Sequence, residues 1–277
     1  MNLYIPDGVE RERALQRCNY MAVGAHQDDL EIMAYHGILN CYNNSENWFC
    51  GVTMADGCGG PRKKGYEKFS SKEISAIRNK EQNIAADLGQ YGAMFQFNLP
   101  SSAIKSPNKK GVVSKLLEVL QAVKPRVVYT HNPADKHDTH VGVLLATLQA
   151  IHQLPLADRP DKLYGCEVWR DLDWLDDVAK IRLNVTGHDE LALSLIKCFE
   201  SQVTDKKRYD LATLGRRRAN ATYSDAHSNS VEEQVTYAMD LSDLIRNESQ
   251  SLIEYTLQQI KTFENKVCSI LSNQLGE

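Results

Sequence analysis

Between residues 20 and 200, short β-rich runs alternate with amphipathic helical patterns. That alternation restricts the chain to folds built on a mostly parallel sheet, because right-handed strand–helix–strand crossovers are what such a pattern produces. Residues 20–24 form an apolar run that ends on a polar loop, and residues 29–41 read as a helix. Residues 48–54 are again β-rich and close on Asp56-Gly57, before a Gly/Lys-rich loop. The spacing of Ile74, Ile77, Ile84 and Leu88 predicts a helix over 70–89, capped by Ser71 and ended by Gly89. Strands are expected at 94–99, 126–130, 163–169 and 181–185, and helices at 111–123, 138–153 and 190–200. In such sheets ligands bind at the carboxyl ends of the strands. Two polar, histidine-rich loops fall there, one after residues 20–24 and one after 126–130.

The first loop is Ala25-His26-Gln27-Asp28-Asp29, with Glu31 just beyond. The second is His131-Asn132-Pro133-Ala134-Asp135-Lys136-His137-Asp138-Thr139-His140. A catalytic zinc takes three nitrogen or oxygen ligands and keeps one position open for water. His26, Asp29 and His140 can supply such a set. Asp28, beside the ligands, can accept the proton of an activated water. His137 can hydrogen-bond a developing oxyanion or protonate a leaving amine. Taken singly, either cluster also reads as a loop cap, with Asp138 capping the helix that follows. Their occurrence at two strand ends favours a common site. His36, His152, His188 and His227 have no such context and read as surface or core residues.

These segments resemble the LmbE/PIG-L-like N-acetylglucosaminyl deacetylases, whose pattern is A-H-P-D-D-x-E followed much later by H-x-D-H. The chain has Ala25-His26-Gln27-Asp28-Asp29-Leu30-Glu31 and His137-Asp138-Thr139-His140. Thr53-Met54-Ala55-Asp56-Gly57, Arg78…Glu81…Ala85…Leu88-Gly89, residues 127–131, Ser201-Gln202 and Tyr223-Ser224-Asp225-Ala226 are similar to further family segments. The resemblance covers about residues 19 to 227. It implies that His26, Asp29 and His140 bind zinc, with divalent iron as the alternative. It implies Asp28 as the base, His137 as stabiliser of the tetrahedral intermediate, and Arg78 as a donor to substrate hydroxyls. For Arg78 the competing reading is a helix arginine paired with Glu81 or Asp56. Glu31 is expected to orient the ligands. Two positions depart from the pattern. Gln27 replaces a proline, which bears on loop rigidity more than on chemistry. Thr139 replaces an aspartate that steadies the catalytic histidine, a role left to Asp135 or Asp138.

The expected fold is a Rossmann-like three-layer α/β/α domain over residues 1–228, with a C-terminal helical extension over 229–277. From 230 to 271 there is no Gly or Pro, and Ser230-Val231-Glu232-Glu233 has capping-box form. Leu241, Leu244, Ile245, Leu252, Ile260, Phe263, Val267 and Ile270 lie near one helical stripe, which packs on the domain or mediates homo-oligomerisation. The expected activity is zinc-dependent hydrolysis of an N-acyl, foremost N-acetyl, amide on an N-acetylglucosamine-type sugar or glycoside. An amidase of a thiol-sugar conjugate and a non-catalytic sugar-binding protein are the alternatives. Trp169, Arg170, Asp171 and Trp174 line the pocket or, for the tryptophans, pack in the core. A nucleotide-binding module is disfavoured: no G-x-G-x-x-G follows the first strand, and Gly57-Cys58-Gly59-Gly60 leads into Pro61.

A net charge of −4 in 277 residues gives no electrostatic footprint for nucleic acid. Arg216-Arg217-Arg218 reads as a solvated helix face or a set of local salt-bridge partners. No apolar run approaches the ~20 residues that span a bilayer, and the first residues lack a secretory apolar region. Seven scattered cysteines without CxxC spacing fit a reducing, cytoplasmic setting.

Overall fold

The computed structural model describes residues 1–60, 62, 65–203, 206–223 and 231–276. Among these, eight strands form one sheet: β1 (Asn2–Tyr4), β2 (Cys18–Gly24), β3 (Trp48–Ala55), β4 (Ala93–Leu99), β5 (Val127–His131), β6 (Lys162–Cys166), β7 (Lys180–Asn184) and β8 (Val235–Asp240). The helices are α1 (Arg11–Gln16), α2 (Asp29–Met33), α3 (Tyr35–Cys41), α4 (Ser71–Leu88), α5 (Ser101–Lys105), α6 (Lys110–Val123), α7 (Asp138–His152), α8 (Asp189–Lys197), α9 (Tyr209–Tyr223), α10 (Ser242–Arg246) and α11 (Leu252–Leu275).

The strand order is β1-β4-β3-β2-β5-β6-β8-β7. The run from β4 through β3, β2 and β5 to β6 is parallel, while β1, β7 and β8 join antiparallel. Two separate apolar clusters cover the two faces. One combines sheet residues with Leu116 and Leu120 of α6 and Leu144 and Ile151 of α7. The other takes in Met33, Ile38, Ala85 and Leu195 from α2, α3, α4 and α8. The result is the expected three-layer α/β architecture. The chain leaves β2 toward β3 on one side and reaches β5 on the other, so a crevice opens between the carboxyl ends of β2 and β5.

Several local expectations shift. The helix read over 29–41 is two helices, broken at Ala34 (φ −111°, ψ 19°). Ser70, not Ser71, caps α4, in a reciprocal capping box with Glu73. The stretch after 229 is not helical throughout. Residues 235–239 (Val-Thr-Tyr-Ala-Met) are β-branched, aromatic or apolar and, with Asp240, form β8, paired with β6 and β7. Freedom from Gly and Pro suits a strand as well as a helix. The sheet therefore extends past residue 228, and helix resumes only at α10. Ser230 of the capping-box pattern, Ser224-Asp225-Ala226 and His227 lie outside the described residues. Among the described residues no helix is long and apolar enough to cross a membrane, and all seven cysteines are unpaired.

Candidate metal centre

The crevice is built from the end of β2, the start of α2, the end of β5 and the start of α7. Gly24 closes β2 where a Cβ would come within 2.8 Å of Leu30 Cδ2, so α2 packs directly over the strand end. The chain then folds back on Asp29. Its Oδ2 accepts the N–H groups of Ala25 (3.0 Å) and His26 (2.7 Å). Ala25 N–H also donates to His131 Nε2 (3.0 Å). Thr130 Oγ1 ties β5 to β2 through the Val23 carbonyl (3.0 Å). Asp28 sits between these contacts in the left-handed region, with φ 92° and ψ −24°. Few residues other than glycine adopt that conformation, and it recurs at functional sites.

Three histidines surround Asp29, and a fourth, His137, packs on two of them. Its Oδ2 lies 3.5 Å from His26 Nδ1, 3.5 Å from His131 Nε2 and 3.7 Å from His140 Nε2. The rings of His131 and His140 stack at 3.9 Å, and those of His137 and His140 at 4.4 Å. His26 meets His137 edge-on at 5.1 Å. Asp29, Asp28, His131 and His140 are buried. Burial opposes ionisation of Asp29, but His140 first, then the His131 and His26 rings beside it, outweigh it and hold its carboxyl well below the usual range. Asp28 moves the opposite way. Burial first, then the Asp29 charge, push its carboxyl well up against the pull of Arg78. Burial also depresses His140 and His137, helped by neighbouring imidazoles, so neutral rings are favoured.

Asp29 Oδ1, His140 Nε2, His131 Nδ1 and Asp28 Oδ2 are buried without a hydrogen-bond partner among the described residues. Buried polar atoms are rarely left so. Asp135 Oδ2 lies 2.8 Å from His140 Nδ1, which makes Nδ1 the donor and leaves Nε2 as a lone pair facing Asp29. A carboxylate and an imidazole lone pair facing each other in a buried site fit a divalent cation. Ligand atoms of His26, Asp29 and His140 all lie within 4.8 Å of one another, as do those of His131, Asp135 and His140. The first trio suits a metal better. In a tetrahedral site with ~2.0–2.1 Å bonds, ligand atoms stand roughly 3.3 Å apart, whereas Asp135 and His140 are at hydrogen-bond distance.

The other anticipated residues fall around this centre in different ways. Arg78 is buried, donates to the Gly57 carbonyl and lies in the fields of Asp28 and Glu81. Gly57 has φ +67°, and a Cβ there would overlap Gln27 Oε1 and stand 3.0 Å from Arg78 Cδ. Glu81 is held by Ser201, through its backbone N–H and its hydroxyl at 2.6 Å each. Asp56 accepts Cys58 N–H instead of Arg78. Gln27 is buried and makes contacts no proline can: its Nε2 donates to the Ala55 carbonyl (3.2 Å) and to Asn79 (3.4 Å). Gln202 Nε2 reaches the Gln27 carbonyl at 2.7 Å. Asp135 also accepts His137 N–H (2.8 Å). Asp138 is exposed at the first position of α7. Glu31 is buried and faces Gln82 (2.8 Å) and Tyr91 (2.7 Å), away from the histidines. Burial pushes its carboxyl up to about 7.

His131 is the residue that the sequence left without a role. Its place as the last residue of a β-rich run, with its ring buried at the carboxyl end, is the signal that could have marked it. The arginine trio is not a solvated face. Arg217 is fully buried and donates to the Glu31 (2.9 Å) and Ile32 (3.2 Å) carbonyls, Arg216 donates to those of Val168 and Arg170, and only Arg218 makes a surface ion pair, with Asp189. Trp169 is 44% exposed beside Tyr209, while Trp174 is half-buried against the core. His36 is partly buried against Tyr129, and His152 bonds the Leu244 carbonyl.

Residues 21–151 match the family model described as PIG-L, GlcNAc-PI de-N-acetylase. No curated protein sequence matches the chain. Among solved structures, N,N'-diacetylchitobiose deacetylase from Pyrococcus horikoshii is 17% identical, with a TM-score of 0.64 over 86% of this chain and 90% of that one. The 4-carboxy-2-hydroxymuconate hydratase from Pseudomonas putida is 16% identical, with a TM-score of 0.64 over 81% and 96%. The zinc-inhibited form of a teicoplanin deacetylase is 13% identical, with a TM-score of 0.57 over 80% and 97%. At these identities the likeness is one of fold, and the fold carries both deacetylases and a hydratase.

Proposed function

For a chain whose residues 21–151 form a PIG-L (LmbE-like) de-N-acetylase family domain, we propose zinc-dependent hydrolysis of an N-acyl, foremost N-acetyl, amide on an N-acetylglucosamine-type sugar or glycoside, releasing acetate and a free amine. The observation that carries this reading is the buried, unpartnered Nε2 of His140 at 3.7 Å from Asp29 Oδ2, with an unpartnered oxygen on each of Asp28 and Asp29. His26, Asp29 and His140 hold the zinc, with divalent iron as the alternative ion. When bound, such an ion supplies Lewis acidity and makes water a nucleophile near neutrality.

The rest falls to side chains. Asp28 takes a proton from the attacking water, and burial makes its carboxylate a stronger base than a free aspartate. The same proton then serves the departing nitrogen, so Asp28 ends the cycle ionised again. His137 stands partly exposed at the mouth, and among the described residues no carboxylate hydrogen-bonds its ring. With burial and neighbouring imidazoles keeping it neutral, it acts as an N–H donor to the tetrahedral oxyanion. Arg78, held by the Gly57 carbonyl, donates to substrate hydroxyls. Asp135 orients His140.

The test is metal analysis joined to a screen of N-acetylated sugars with amine release as readout. About one zinc per chain is expected. Asp28→Asn is expected to keep the metal and lose turnover by roughly 10²–10⁴-fold. Equal release by both proteins removes Asp28 as base. A metal-free, inert protein that zinc or iron fails to reconstitute overturns the reading.

A further inference from the structure

Helix α11 runs 24 residues, about 36 Å at ~1.5 Å per residue. None of its residues is buried. It touches the body on one side, where Leu252 and Tyr255 pack on the core, Tyr255 Oη donates to the Asp240 carbonyl and Lys266 pairs with Asp176 at 3.0 Å. The adjoining flank is apolar and open: at ~100° per residue Phe263 and Ile270 stand in line with Leu252, and Val267, Ile260, Ile253 and Leu257 turn progressively away from the body. Ile253, Leu257, Ile260, Phe263, Val267, Ile270, Leu271 and Leu275 are each more than a third exposed. Ile260, Phe263, Val267 and Ile270 follow one another at 3-4-3 spacing, the pattern of a two-helix seam.

We propose that this stripe pairs with the same stripe of a second copy about a two-fold axis. Area favours that occupant: the eight side chains together expose on the order of 800 Å², what each partner contributes to a standard interface. A solitary monomer seldom shows an apolar patch of that size. Charge favours it too. The helix carries Glu254, Lys261, Glu264 and Lys266 and no others. Lys261 and Glu264 pair with each other at 2.9 Å, and Lys266 is taken by Asp176. The face therefore repels no identical copy. It also offers no basic surplus for an anionic lipid surface and no net charge for an acidic or basic partner. An isologous contact needs only a self-complementary surface, and an apolar, charge-neutral helix face can be one.

The test is the solution mass of the full chain at micromolar concentration by sedimentation, compared with Ile260→Glu and Val267→Glu. Twice the chain mass is expected for the wild type, and a dimer Kd weakened ~30-fold or more in each variant. Unchanged far-UV circular dichroism excludes misfolding as the cause. Cys268, the exposed cysteine on α11, carries a spin label, and a discrete label-to-label distance confirms that the helices meet. A monomeric wild type overturns the proposal. So does a dimer that both glutamates leave intact, or a monomer that binds neutral phosphatidylcholine vesicles through α11.

Discussion

Asp135 Oδ2 and His140 Nδ1 stand 2.8 Å apart, five residues from each other across the turn into α7. The contact fixes the His140 tautomer and turns its Nε2 toward Asp29. The other oxygen of Asp135 holds the His137 N–H, so one carboxylate sets both histidines of the motif. It acts on the ring of His140 and only on the backbone of His137.

Asp135→Ala should therefore weaken metal binding more than it alters the fold. Loss of a carboxylate behind a metal histidine costs ~10–100-fold in affinity. Titration with a competing chelator reads this directly. Unchanged affinity would mean that His140 keeps its orientation without Asp135.

Much of this centre could be read from the sequence because its chemistry is local. His26, Asp28 and Asp29 lie on one turn, and His137 and His140 sit one helical turn apart. What could not be read depends on contacts across the sheet. His131 enters because β5 lies beside β2. Glu31 faces away from the centre because Tyr91 and Gln82, some fifty residues on, accommodate its carboxyl. Arg217 was misread because three adjacent arginines look alike in sequence, although one points into the core, one clamps the 168–170 loop and one meets solvent. The strand β8 was hidden in a breaker-free stretch because its partners, β6 and β7, precede it by many residues.

Gly57→Ala tests how Arg78 is held. The backbone there has φ +67°, and the added methyl overlaps Gln27 Oε1 and crowds Arg78 Cδ. Strain of ~1–3 kcal/mol is expected in stability. If Arg78 contacts substrate, KM for an N-acetylated sugar should rise roughly tenfold, the ~1.4 kcal/mol of one polar contact. A variant with lower Tm and unchanged KM would leave Arg78 a structural residue.

His36 provides a pH test away from the candidate metal centre. Burial lowers its pKa to about 4, and its Nδ1 lies 2.7 Å from Tyr129 Oη. The unfolded chain protonates this ring near 6.5. The folded state therefore binds fewer protons between those values, and stability falls as the pH drops from 6.5 toward 4. The full shift is worth up to about 3 kcal/mol. His36→Gln should flatten that part of the urea-midpoint profile. An identical slope in both proteins would place the acid lability elsewhere.

Arg217 links the far helix α9 to the turn of the candidate metal centre. Its guanidinium is fully buried, lies 4.2 Å over the Tyr35 ring and donates to the Glu31 and Ile32 carbonyls, inside the short helix that Asp29 begins. Burial lowers its pKa to about 9, so keeping the charge there has a cost. Methionine fills similar volume and removes that cost, but it leaves carbonyls of α2 without their buried donor. Hydrogen bonds from a charged group contribute ~1.5–3 kcal/mol, and relief from desolvation offsets part of this. Arg217→Met should consequently lower stability by about 1–2 kcal/mol, seen as a lower urea midpoint with unchanged m-value. Because α2 is a five-residue helix, loosening its end should also weaken metal binding at Asp29. Both bonds leave one nitrogen, Nη2, so a lysine ammonium in the same place can serve both carbonyls, and Arg217→Lys should resemble wild type rather than Met. A lysine variant as unstable and as weak in metal affinity as the methionine one would show that the guanidinium's seat over Tyr35, not the charge alone, secures this turn.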